Sequence, residues 1–229
     1  MHVVSFMAAK GGTGRSTAVA ALALGMLARG LRVHILNASF ALPKETPKDF
    51  LGYADQITET PPASLVDWKL AMEDYVTADQ LRHTNVSSAL ELKRYLTTDP
   101  GDFDSIIVDC PAIGCFAEHI AYTWSHLTIV PARSCVDARL AHDVFRYRGW
   151  IDETGAEPML GLLVGPLASG SIRESFGTLP VFDTEIPVFP ETRDAWIGSP
   201  YCVNPDDAPG FTKTFATEVL RFLHVTEGI

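Results

Sequence analysis

Residues 3–17, VVSFMAAKGGTGRST, carry a continuous apolar run into three glycines within four positions, and then into the small-residue run AVAALALGMLA at 18–28. The first run reads as a strand, the last as a buried helix, and the glycines as a tight turn between them. Parallel neighbours of such a strand require crossover connections, so this βα beginning commits the chain to an α/β sheet. Gly11, Gly12 and Gly14 permit a backbone whose N–H groups converge on phosphate oxygens, and the helix adds the positive end of its dipole. Lys10, Thr13, Arg15, Ser16 and Thr17 complete the loop. Ser16 falls where a loop hydroxyl ligates Mg²⁺, and Arg15 stands where such loops place a lysine.

Further apolar runs at 32–36, 105–110, 127–131, 160–167 and 179–184 predict strands. Their hydrophobicity is continuous rather than alternating, as expected for strands covered on both faces. Helices are predicted at 15–29, 64–74, 77–97, 117–124, 137–153, 169–177 and 210–224. Right-handed crossovers then give a doubly wound, mostly parallel sheet flanked by helices, with ligand sites at the carboxyl ends of the strands. The Pro-rich, polar stretch 41–64 reads as a long surface loop, and residues 1–229 as one domain.

The formal net charge is −10, and the residues after Phe103 hold 17 acidic against 8 basic side chains. Such a field opposes non-specific nucleic-acid binding unless a local basic patch overcomes it. The four cysteines form no C-x-x-C pair, and MHVVSFMAA lacks the basic region of a signal peptide; both features lead to the expectation of a cytoplasmic protein. The 18–28 run is too short for a stable membrane span.

Residues 10–17, KGGTGRST, match the deviant Walker A motif K-G-G-x-G-K-[ST]-[ST] at every position but Arg15, and the chain thereby resembles the ParA/MinD group of P-loop ATPases. FDSIIVDCPA at 103–112 is similar to the Walker B strand of that group. LTIVPARSCVDARLAHDVF at 127–145 is similar to its next strand and the helix near the dimer interface, and TEIP at 184–187 followed by FPETRDAW to its late segment. The resemblance implies an ATP-binding P-loop NTPase with residues 10–17 around the nucleotide and Mg²⁺ held by Ser16 and Asp109. It implies a homodimer formed with ATP, in which Lys10 reaches the partner's phosphates, and Lys10 and Arg15 as catalytic cations.

Two features depart from that group's pattern, one at Arg15 and one at the end of the second strand. An arginine fork fits a tight phosphate loop differently from a point ammonium. At the end of the second strand the group carries D-x-D, whereas this chain reads Asn37-Ala38-Ser39. Ser39 would then be the water-holding group, although a hydroxyl is a poor general base; Glu45 is the alternative carboxylate. These changes spare ground-state binding and touch groups that act in the transition state, so slow hydrolysis is expected.

The resemblance implies two kinds of partner. One is a DNA-bound adaptor in plasmid or chromosome segregation, with possible non-specific DNA binding. The other is a component of a conjugation, secretion or polysaccharide-synthesis apparatus, recruited by a non-hydrolysing switch. RYRGW at 146–150 reads as a helix face with its aromatics on the core, and the stripe Phe211, Phe215, Val219 and Phe222 as packing on the sheet rather than a membrane anchor.

Overall fold

The computed structural model describes residues 1–38, 65–98, 101–112, 116–150, 159–165, 169–187 and 199–226. Seven parallel strands form one sheet: β1 (His2–Ala8), β2 (Val33–Asn37), β3 (Leu81–Asn85), β4 (Ser105–Ala112), β5 (Leu127–Ala132), β6 (Met159–Val164) and β7 (Val181–Ile186). Their order across the sheet is β3-β2-β4-β1-β5-β6-β7, with β1 at the centre. Every observed pairing is parallel.

The pleat explains the continuous apolar runs. Along β1, Val4 and Phe6 join one core with Ile35, Ile107 and Ile129, while Val3 and Met7 join a second core with Leu36, Ile106 and Val130. Successive side chains enter opposite faces and both faces are covered, so the central strands are mostly apolar, with a few buried polar exceptions such as Ser5, Thr128 and Asp109. The first core is closed by α1 (Arg15–Leu27), α2 (Leu65–Met72) and α7 (Gly210–Thr226). The second is closed by α3 (Ala89–Thr97), α4 (Phe116–Trp124), α5 (Cys135–Tyr147) and α6 (Ser169–Ser175).

Helix α1 is buried continuously from Ala18 to Leu27, which its small side chains permit. At Gly25 a Cβ would lie 2.1 Å from the Thr212 carbonyl oxygen, so α7 crosses α1 where the latter has no side chain. Phe215 and Val219 are fully buried in this contact, so the apolar stripe of α7 packs inward as the sequence suggests. Among the described residues, no helix is long and apolar enough to cross a membrane.

One element differs from the sequence reading. The helix predicted at 77–97 is a strand, β3, followed by the shorter helix α3. Among the described residues β3 pairs only with β2, and Leu81-Arg-His-Thr-Asn has a single fully buried residue, so it lacks the apolar signature of its neighbours. The start of α3 is encoded locally. The Ser88 hydroxyl accepts from the Glu91 amide at 3.2 Å, and Glu91 accepts from the Ser87 amide at 2.7 Å. Ser88-Ala-Leu-Glu91 is thus a capping signal that starts α3 at residue 89 rather than at 77. The stretch 41–64 lies outside the described residues.

Candidate functional site

The site forms where β1, β4, β2 and β5 end. β1 lies where the chain departs to opposite sides of the sheet, the place at which doubly wound sheets open a crevice at their carboxyl edge. The loop after β1 needs left-handed backbone at two positions: Gly12 has φ 77° and Gly14 φ 83°. Gly14 is also the N-cap of α1, and its carbonyl accepts the first intrahelical bond from the Ala18 amide at 2.9 Å. A Cβ on Gly14 would meet Val164 Cγ1 at 2.4 Å, so glycine is required for close packing as well as for its dihedral. The first turn of α1, whose amides have no intrahelical acceptors, therefore opens onto the loop. Gly11 is exposed, and Thr13 is buried with a hydroxyl oxygen that has no partner among the described residues. Thr17 is half-buried in the first turn of α1.

Asp109 lies beside this turn. It sits on β4 in register with Phe6 of β1 and Asn37 of β2, and is 3% exposed. Both carboxylate oxygens are engaged: Arg15 Nε donates to Oδ1, and Ser16 Oγ donates to Oδ2 at 3.1 Å. Thus three predicted site residues, Arg15, Ser16 and Asp109, meet at one point. Ser16 and Asp109 supply the hard oxygen donors that suit Mg²⁺. Their side chains fit the ion chemically, but the carboxylate is already paired with a guanidinium.

The second loop cation is also paired within the chain. Lys10 Nζ lies 2.7 Å from Asp137 Oδ1, although the Lys10 side chain is 48% exposed. Asp137 stands in the first turn of α5, where Ser134 caps the helix by accepting from the Asp137 amide at 3.2 Å and Asp137 accepts from the Arg133 amide at 3.0 Å. Burial alone would push the Asp137 carboxyl up. The Lys10 ammonium, the Arg133 amide and the Ser134 hydroxyl together hold it below the ordinary carboxylate value.

Arg133 and Asp137 escape the sequence reading. Arg133 Nη1 approaches the Gly12 carbonyl oxygen at 3.5 Å, which sets a third cation beside the loop. The available signal was the segment Ser134-Cys-Val-Asp137, a helix start immediately after a strand at the carboxyl edge.

The β2 end carries amides. Asn37 Nδ2 donates to Asn85 Oδ1 at 3.0 Å across the β2–β3 pair, next to Asp109. Ser39 and Glu45 lie outside the described residues, as does FPETRDAW at 189–196. RYRGW divides between core and surface. Arg148 donates to the fully buried Glu118 at 2.7 Å, and Trp150 stacks on Tyr122, while Tyr147 is 93% exposed.

A glycine loop between a central parallel strand and a buried helix, with an aspartate at the end of the adjacent strand, defines a P-loop NTPase architecture. More narrowly, the chain has the fold of MinD and ParA family ATPases, as its motifs led one to expect. It is similar to a chain of the MinC:MinD cell division protein complex of Aquifex aeolicus, at 16% identity over 95% of this chain and 96% of that one, with a TM-score of 0.59. It is similar to a ParA family ATPase from Chlorobium tepidum TLS, at 17% identity over 96% and 98% of the two chains, with a TM-score of 0.59. It is also similar to cobyrinic acid a,c-diamide synthase from Mycobacterium smegmatis with bound ATP analogue and magnesium, at 20% identity over 100% and 97%, with a TM-score of 0.58. No family model and no curated protein sequence matches the chain.

Proposed function

We propose that this chain is a cytoplasmic, ParA-like nucleotide switch that binds ATP with Mg²⁺ at residues 10–17, pairs with a second copy when loaded, and hydrolyses slowly. The observation that carries the reading is the left-handed pair Gly12 and Gly14 opening the first turn of α1 beside the Ser16–Asp109 hydrogen bond. Backbone amides and the helix dipole would receive the β-phosphate. Ser16 and Asp109 would hold the ion, which supplies charge neutralisation across the phosphates when bound. The ATP analogue and magnesium bound by the structurally similar synthase support this assignment.

Slow turnover follows from side chains rather than backbone. Asn37 is hydrogen-bonded to Asn85, and an amide cannot take the proton of an attacking water. Lys10 is tied to Asp137 in its own chain, and it must leave that carboxylate to reach a partner's phosphates. A loaded pair would therefore persist, which suits the positioning of cargo such as plasmid or chromosomal DNA through a DNA-bound adaptor. The same pairing supports a second reading, a non-hydrolysing scaffold that recruits a conjugation, secretion or polysaccharide-synthesis apparatus. In both readings the whole chain works as one nucleotide-binding domain.

Calorimetric titration of the purified protein with ATP and MgCl₂ tests the assignment. Saturable binding that is lost in Gly14→Ala supports it. Absence of binding by the wild-type protein would contradict it. Measurable turnover that an adaptor accelerates would select the segregation reading over the scaffold.

A further inference from the structure

Asp109 is a buried carboxylate, and a buried charge requires a partner. In a nucleotide site of this architecture the expected partner is a divalent ion; here Arg15 supplies the positive charge from the first residue of α1. The Arg15 side chain is only 17% exposed, so the pair is largely shielded from solvent screening. Oδ1 accepts from Arg15 and Oδ2 from Ser16, so an ion would have to share the carboxylate with the guanidinium. Mg²⁺ demands close, near-octahedral coordination, and a guanidinium on the same carboxylate obstructs that approach sterically and by like charge.

We infer that Arg15 is an internal cation gate: it excludes Mg²⁺ from the Ser16–Asp109 pair until a nucleotide draws the guanidinium away. The inference rests on the nucleotide reading of the loop for its second half only. Arg15 opens the helix whose first turn would face the phosphates, and a planar guanidinium pairs bidentately with phosphate oxygens as readily as with a carboxylate. A β- or γ-phosphate would offer Arg15 a second anion, release Asp109, and permit the metal to enter. Binding is then ordered, nucleotide before metal. A lysine at this position, a more compact point charge, would not cover the carboxylate with a planar fork.

The test begins without nucleotide. Thermal unfolding is followed in millimolar MgCl₂ against KCl of equal ionic strength, for wild type, Arg15→Ala and the double variant Arg15→Ala/Asp109→Asn. Wild type should not respond to Mg²⁺. Arg15→Ala should melt earlier and regain about 3 °C with Mg²⁺, because the ion now binds the native state at Asp109. The double variant should lose that response. Arg15→Gln, which keeps a donor but removes the charge, serves the same comparison if the alanine variant does not fold. Bound Mn²⁺, observed by electron paramagnetic resonance, should appear in wild type only after ATP is added.

Equal metal responses of wild type and Arg15→Ala without nucleotide would overturn the gate, whatever ATP does. Bound Mn²⁺ that does not increase with ATP, in a protein shown by calorimetry to bind ATP, would overturn the ordered entry. If ATP does not bind while the metal responses follow the prediction, the nucleotide reading fails and the exclusion of metal by Arg15 stands.

Discussion

The carboxyl end of β1 and the carboxyl ends of β2 and β3 lie on the same edge of one sheet, and they differ in kind. The first is built from backbone: left-handed glycines, a helix N-terminus and a close approach to Val164 that leaves no space for a side chain. The second is built from side chains, and its polar pair is the neutral Asn37–Asn85 contact beside Asp109. A phosphate cradle made of backbone tolerates changes in the surrounding side chains, whereas proton transfer depends on one functional group. On the proposed reading, this contrast is how a chain would keep a phosphate cradle while its hydrolysis slows.

The strongest way to break the comparison is Gly14→Ala. The φ of +83° and the 2.4 Å approach to Val164 Cγ1 make alanine strained and overpacked at once. A destabilisation of roughly 2–4 kcal/mol and loss of ATP binding are expected, measured by chemical denaturation and calorimetry. A variant that binds ATP normally would show that the loop does not depend on its glycine backbone.

Asn37→Asp sharpens the other half. Placing a carboxylate beside Asp109 should raise ATP turnover by about a hundredfold in a steady-state phosphate-release assay, the low end of what a positioned general base supplies. An unchanged rate would place the limit elsewhere on the edge.

A smaller effect is expected at Lys10. Lys10→Met leaves Asp137, 4% exposed, with its helix-cap contacts alone, at a cost of about 1 kcal/mol. The Asp137 carboxyl is held below its ordinary value of 3.8, so it contributes stability above that pH and loses it as pH falls. Asp137→Asn should accordingly flatten the acid limb of the stability profile below about pH 4, read from denaturation midpoints. A profile identical to wild type would remove Asp137 from the account.

The smallest effect concerns His83 on β3. Burial pushes its imidazole below the ordinary 6.5, helped by Lys69 and partly offset by the Asp109 charge. Its stabilisation is present above pH 6.5 and declines as pH falls, because the unfolded chain takes up the proton first. His83→Gln should reduce this slope by an amount visible only in carefully matched denaturation curves.

These elements also show what the sequence makes legible. The central strands announce themselves because each is buried on both faces, and β1, β2, β4 and β5 lie within two residues of their predicted bounds. β3 does not, because an edge strand has one neighbour and polar residues survive on it. At the site, Arg15, Ser16 and Asp109 are each legible as candidates, but their convergence depends on β4 lying next to β1, a topological fact that no local pattern contains. Asp137 is harder still. Locally it is a helix-cap residue, and its link to Lys10 arises only because the β1 loop and the start of α5 share one edge.

The proposed switch, once loaded, should persist and decay slowly. Solution mass and phosphate release, recorded on one sample of wild-type protein in ATP and MgCl₂, test that most directly. A shift from monomer to dimer that persists over many minutes with little phosphate released is the predicted result. A protein that stays monomeric in saturating ATP, or that releases phosphate as fast as Asn37→Asp, would contradict it.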